Sequence, residues 1–284
     1  MKCLTALATR IPTRGIGLIG LCCCLALGTA GAKEASWPGS RDVVVVHQPE
    51  RPRSEKQAIL IIPGLDEPRQ GRRAMSEHFS DQGYDLFIPD YVDADSFEGS
   101  VTNFKEFYRN QHLGEYEGVH VLSYILGSWV LNRFIDEVGP GNIRTIVYDR
   151  SPLQERAALV ATENIPFLTR LARGRVVEQF SKLPYAPIAK GTMRIGILVE
   201  GKATRLVRHF KSEVMAKGVI EWTALDFRQD HDDLMFVPFD HVEMYSQFDL
   251  LGPEILHFIR NGRFTGDARR TWYGWDPFKK RKRD

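Results

Sequence analysis

The stretch VHVLSYILGS (119–128) has the form of a place that holds a nucleophile: β-branched strand formers, a tight turn, then the first residues of a helix. The residue at the apex is Ile125, a hydrocarbon that can neither attack a carbonyl nor pass a proton. Hydroxyls lie on either side of it, at Ser123 and Ser128. Farther along stand His241 in VPFDHVEM and Asp149 at the end of RTIVYD, a base and an acid if geometry brings them together. The run DFRQDHDDL gathers Asp226, Asp230, His231, Asp232 and Asp233, hard ligands that would suit Ca²⁺, but their spacing matches no EF-hand and a solvated acidic loop is the expectation. The glycines of PGL and GPG fit neither the GxGxxG nor the GxxxxGK pattern, so no nucleotide site, and no cofactor or metal, is expected.

Those residues need a scaffold, and the hydropathy pattern supplies one. QAILIIPG (57–64) and YDLFIPDY (84–91) read as strands with an amphipathic helix near 71–82 between them, which is one βαβ unit of a parallel sheet. A helix at about 99–110, the strand GVHVLSY, a helix over 126–137 stopped by GPG, and the strand RTIVYD continue the alternation. RIGILVEG (194–201) and GVIEWTAL (218–225) add two more expected strands, and LGPEILHFIRNGRF (251–264) a closing amphipathic helix. Between 151 and 191 no strand is expected, only the short helical groups ALVA, FLTRLA and VVEQF, placed as a cap over the carboxyl ends of the sheet.

The chain of 284 residues, 43% hydrophobic and 26% charged, can bury one large core. Its first 32 residues are set apart: Lys2, Arg10 and Arg14 precede a short apolar run over 16–27, and Ala30, Gly31 and Ala32 follow. This is the pattern of a secretory signal peptide cleaved near Ala32, which predicts an exported periplasmic or extracellular protein. All four cysteines, Cys3, Cys22, Cys23 and Cys24, lie inside that segment, so residues 33–284 hold no disulfide and no thiolate site. The formal charge of +2 falls to −1 once the three signal cations are set aside, which gives no reason to expect nucleic acid as a partner. Five cations crowd the tail region 271–284 at Lys279, Lys280, Arg281, Lys282 and Arg283, a patch that could meet a protein partner or an anionic membrane.

From about Gln57 to Phe264 the order of parts resembles the α/β-hydrolases, specifically the small bacterial lipases and esterases. IIPGL looks like the family's strand and oxyanion loop, VHVLSYILGSWVLNRF like the strand, elbow and helix that carry the nucleophile, IRTIVYDRSPLQE like the next strand and loop, and DDLMFVPFDHVEM like the segment that delivers the histidine. The resemblance implies an α/β three-layer sandwich with a mostly parallel central sheet and a small helical cap, in a single domain over 33–284.

It also implies a site. In the family's GxSxG elbow the residues two before and two after the nucleophile are small, and only centring on Ile125 satisfies this, with Ser123 and Gly127 as flanks. By the resemblance the oxyanion donors would be the backbone N–H groups of Leu65 and Leu126, the base His241, and the acid either Asp149 or, in the loop before 218–225, Glu213. The expectation is therefore a protein that lacks the hydrolase nucleophile and binds an apolar or acyl ligand, or a protein partner, under residues 151–191. The alternative is an active serine esterase using Ser123 or Ser128 with His241 and Asp149.

Overall fold

The computed structural model describes residues 41–65 and 67–280. The signal-peptide segment and the terminal Arg281, Lys282 and Arg283 lie outside the described residues. Seven strands form one sheet in the order β1-β3-β2-β4-β5-β6-β7: β1 Val43–Val45, β2 Gln57–Ile62, β3 Asp85–Ile88, β4 Gly118–Ser123, β5 Ile143–Arg150, β6 Arg194–Glu200 and β7 Asp233–Val237. All neighbours are parallel except β1, which runs antiparallel to β3.

The strands are apolar on both faces because helices cover both faces, as a parallel sheet requires. On one side α2 (Phe97–Asn110) and α3 (Ile125–Val138) cover Leu60, Val121 and Ile146 with Phe104, Leu131 and Phe134. On the other, α1 (Arg69–Phe79) and α9 (Phe248–Asn261) cover Ile59, Ile61 and Leu122 with Met75, Phe79 and Phe258. After β5 the chain makes three cap helices, α4 (Gln154–Asn164), α5 (Pro166–Arg173) and α6 (Val176–Phe180); after β6 come two short ones, α7 (Arg205–His209) and α8 (Lys211–Ala216). Among the described residues no helix is long and apolar enough to cross a membrane.

Two expectations about elements are corrected. Residues 218–225 form no strand; Gly218 takes φ +125°, Val219 is exposed, and Trp222 stacks on Trp272 at 3.9 Å. The place beside β6 is taken instead by β7, whose inner residues Met235, Phe236 and Val237 are all buried, so burial outweighs the β-branched pair Val219 and Ile220. Conversely β1 is a strand that the sequence pattern did not reveal.

Residues 269–278 lie against the outer edge of the sheet. Phe236 N–H donates to Arg269 O at 2.7 Å, Tyr273 OH to Phe236 O at 3.2 Å, and Trp275 Nε1 to Gly201 O at 2.9 Å.

Candidate active site

β5 and β6 end side by side, with Asp149 opposite Leu198 in the register. Glu200 stands two residues beyond Leu198, so strand alternation sends Asp149 and Glu200 to the same face of the sheet. The turn after β7 delivers His241 between them. Its Nδ1 lies 2.5 Å from Glu200 Oε1 and 3.5 Å from Asp149 Oδ2. All three side chains are almost wholly shut off from solvent, and Asp149 Oδ1, Asp149 Oδ2 and Glu200 Oε2 have no other hydrogen-bond partner.

Three ionisable groups without water settle their charge among themselves. Burial, and then the neighbouring Asp149 charge, push the Glu200 carboxyl up to about 8. Burial also raises Asp149, against the pull of His241. Burial by itself would lower His241, but the two carboxylates outweigh it and hold the imidazolium form well above its ordinary range. Near neutral pH the raised Glu200 carboxyl keeps its proton and His241 is held as the imidazolium. A protonated His241 has no lone pair with which to act as a base.

The same three residues have the donor types for a divalent ion. The 2.5 Å between Nδ1 and Oε1 is a hydrogen-bond distance, however, and two ligands on one tetrahedral zinc stand roughly 3.3 Å apart. As arranged, the cluster fits a shared proton and does not fit a metal.

The strand-to-helix turn differs from the expected strained elbow. Tyr124 is extended at φ −83° and ψ 169°, and Ile125 is the first residue of α3. Among the described residues the non-glycines with positive φ are Gln48, His112 and Arg228, so neither Tyr124 nor Ile125 takes the left-handed conformation. A β-branched side chain is poorly suited to it, and the turn relaxes into helix geometry. Ile125 packs with Leu60, Ile62 and Tyr91 in the core and is 5% exposed. The small residue required at Gly127 is present for the expected reason: a Cβ there would come within 2.4 Å of Ile62 O.

Ser123 and Ser128 are fully buried, with Ser128 Oγ 3.3 Å from Ser123 Oγ and 3.1 Å from Tyr124 O, so each hydroxyl is bonded inside the protein. Glu213 lies on α8. Asp149 is not a helix cap, since α4 begins at Gln154 behind Leu153.

The loop after β2 is also occupied. Gly64 N–H donates to Tyr245 Oη at 2.9 Å, and Tyr91 OH donates to Pro63 O at 2.5 Å. Tyr245 stacks on Tyr124 at 4.1 Å with the rings 10° apart, and both rings stand edge-on to His241. Of the two expected backbone donors, Leu65 lies half-buried in the turn and Leu126 is buried in the first turn of α3.

Sequence reasoning did not single out Glu200. Its signal was there: one acid closing the otherwise apolar run ILV, where an unpaired charge would be costly.

A cleft of about 520 Å³ opens at the carboxyl end of β5, between the start of α4, Tyr185 and the loop 219–228. Trp129, one helical turn beyond Ile125, forms its wall with Tyr185, Phe227, Ile220 and Leu225. The Arg150 guanidinium crosses this wall, 4.0 Å over the Tyr185 ring, in a two-pronged pair with Glu155 at 2.5 and 3.1 Å.

No family model matches the sequence, and no curated protein matches it. Solved structures do. A mature lipase from Bacillus licheniformis is 16% identical, with 78% of this chain and 97% of the lipase covered and a TM-score of 0.50. A haloalkane dehalogenase variant from Bradyrhizobium elkanii is 9% identical, covering 78% and 92% with a TM-score of 0.49. An α/β-hydrolase fold protein from Chitinophaga pinensis is 12% identical, covering 73% and 91% with a TM-score of 0.48. The parallel sheet, its flanking helices and the match to the lipase agree, and the chain has the α/β-hydrolase fold.

Proposed function

We propose that this chain is an exported, non-hydrolytic protein of the α/β-hydrolase fold that binds an apolar, acyl-type ligand in the cleft walled by Trp129, Tyr185 and Phe227. The observation that carries the loss of hydrolysis is Ile125: the position that should present a nucleophile holds a buried hydrocarbon at the start of an unstrained helix. A His241 held in its protonated form supports it, because the usual route needs a neutral imidazole. Ligand binding is supported by the size of the cleft, within the range of ordinary small-molecule sites, and by the Trp129, Tyr185 and Phe227 rings in a lining whose other members include charged Arg150, Glu155, Arg156, Glu221, Asp226 and Arg228. Export rests on the charged, apolar and small-residue pattern of residues 1–32.

The test is labelling of the purified chain with a fluorophosphonate beside hydrolysis of p-nitrophenyl butyrate. No adduct and no turnover are expected. An adduct on Ser123 or Ser128 that disappears in His241→Ala would establish an active serine hydrolase instead. Binding is read with cis-parinaric acid, a fluorescent fatty acid, whose affinity should drop at least tenfold in Trp129→Ala.

A further inference from the structure

The cap helix α5 turns unusual side chains to solvent. Phe167 is 76% exposed and Leu171 74%, and residues four apart share one helix face. Arg170, three beyond Phe167, lies on the same face and is exposed, as are Arg173 and Arg175 close by. The stretch 166–175 contains three arginines and no acid. Carboxylates on either side of it are matched by lysines: Glu163 with Lys217 at 2.6 Å and Glu178 with Lys182 at 3.2 Å.

The opposite face of the helix is committed to the protein. Thr169 is buried and donates its hydroxyl to Ala161 O at 3.1 Å. Both ends are fastened. Ile165 N–H donates to Ala161 O at 2.9 Å, and Val176 N–H donates to Ala94 O at 3.0 Å. Gly174, at φ +76°, lies so close to Ala94 that a Cβ would come within 2.1 Å of its carbonyl oxygen. The apolar face thus belongs to a clamped helix, and its outward aim is built into the fold.

The geometry points to an anionic phospholipid surface as the partner of this face, with Phe167 and Leu171 entering the boundary between headgroups and acyl chains while Arg170 and Arg175 meet lipid phosphates. Charge selects the partner. Two apolar side chains alone would suit a protein groove, whereas an apolar pair ringed by cations on a short convex helix complements a flat, negatively charged layer. So few groups give weak, reversible docking, sensitive to salt because the arginines face solvent until contact. The inference is independent of whether the chain hydrolyses anything.

The experiment is sedimentation of the full-length chain with vesicles of phosphatidylglycerol or of phosphatidylcholine at low and physiological salt. Partition onto phosphatidylglycerol should be at least tenfold stronger and should weaken as salt rises. Phe167→Ser with Leu171→Ser, and separately Arg170→Gln with Arg175→Gln, should each reduce it at least fivefold with unchanged circular dichroism and melting. Phe167→Trp should add emission that brominated lipids quench, a readout tied to this one position whatever the two termini contribute. The inference is overturned by absence of a phosphatidylglycerol preference, by unchanged partition in both double variants, or by an indole at 167 that brominated lipid does not quench. Binding lost only when residues 279–284 are removed would assign it to the terminal cations. Lipid-free self-association abolished by Phe167→Ser with Leu171→Ser would make this face a contact between copies. Either result overturns it as well.

Discussion

If Glu200 carries the extra proton of the buried cluster, its contribution to stability must fall as pH rises from about 5 to about 8. Glu200 is protonated up to about 8 in the folded chain, whereas an unfolded glutamate ionises near 4.5. Between those values the folded state holds a proton that the unfolded state has released. Linkage then lowers the unfolding free energy by about 1.4 kcal/mol for each pH unit, on the order of 5 kcal/mol across the window. Asp149 and His241 are both raised as well, so their contributions have the same sign. Asp233, which Arg270 holds low against the upward push of burial, acts in the opposite sense only at more acid pH, but His120, which burial lowers to about 4, and His78, also lowered by burial, make stability rise with pH up to the ordinary histidine value of 6.5, so the net fall is expected above that value. Urea denaturation at half-unit steps from pH 5 to 9, followed by tryptophan fluorescence, measures the slope. Glu200→Gln keeps the shape and removes the proton. The stability of the wild type minus that of the variant should fall by about 1.4 kcal/mol per pH unit between 5 and 8, and above pH 8.5 the variant should be the more stable of the two chains. A wild-type profile that is level or rising between pH 6.5 and 8, or a variant profile parallel to the wild type from 5 to 8, would refute a proton-sharing cluster.

Three further outcomes follow from the site and its supports. Ile125→Ser should leave p-nitrophenyl ester hydrolysis within tenfold of background and yield no fluorophosphonate adduct at 125, while cavity formation lowers stability by about 2–4 kcal/mol in urea titration. Gly127→Ala should destabilise by about 2 kcal/mol or more, seen as a lowered melting temperature, because the contact it meets at 2.4 Å is backbone and cannot rotate away. Tyr245→Phe should cost about 1–3 kcal/mol in the same titration by leaving the Gly64 N–H without its buried acceptor.

The sheet was largely legible because buried parallel strands announce themselves as unbroken apolar runs. QAILII, DLFI, GVHVLS and RIGILVE all became strands where their composition placed them. Residues 218–225 misled for a specific reason: Val219, Ile220 and Trp222 have strand character, but Ile220 and Trp222 pack as side chains against the small core of α4 and α7, and Trp222 also against the cluster of Ile197 and Val199, while β7 takes the backbone pairing with β6. The strand β1 was hidden because three half-exposed valines on an edge carry no alternation long enough to read. In the site, His241 was legible from its place before the closing helix. Glu200 was not, because expectation looked for the acid at the end of RTIVYD, at Asp149, or in the loop before 218–225, at Glu213, and the chain carries a second one at the end of β6. The relaxed turn at Ile125 was equally invisible, since residue types reveal that the hydroxyl is missing but not that the backbone has exploited its absence by dropping an uncomfortable conformation.

The segment over 269–278 also bears on how the protein folds. β7 forms one border of the sheet, and a border strand offers unpaired backbone groups to any other extended chain. Here Arg269, Tyr273 and the Trp222–Trp272 stack cover that border. Until residues 269–278 fold over it, β7 is an open seam to which another extended chain could add, and closing that seam depends on two tryptophans and a tyrosine finding their places over it.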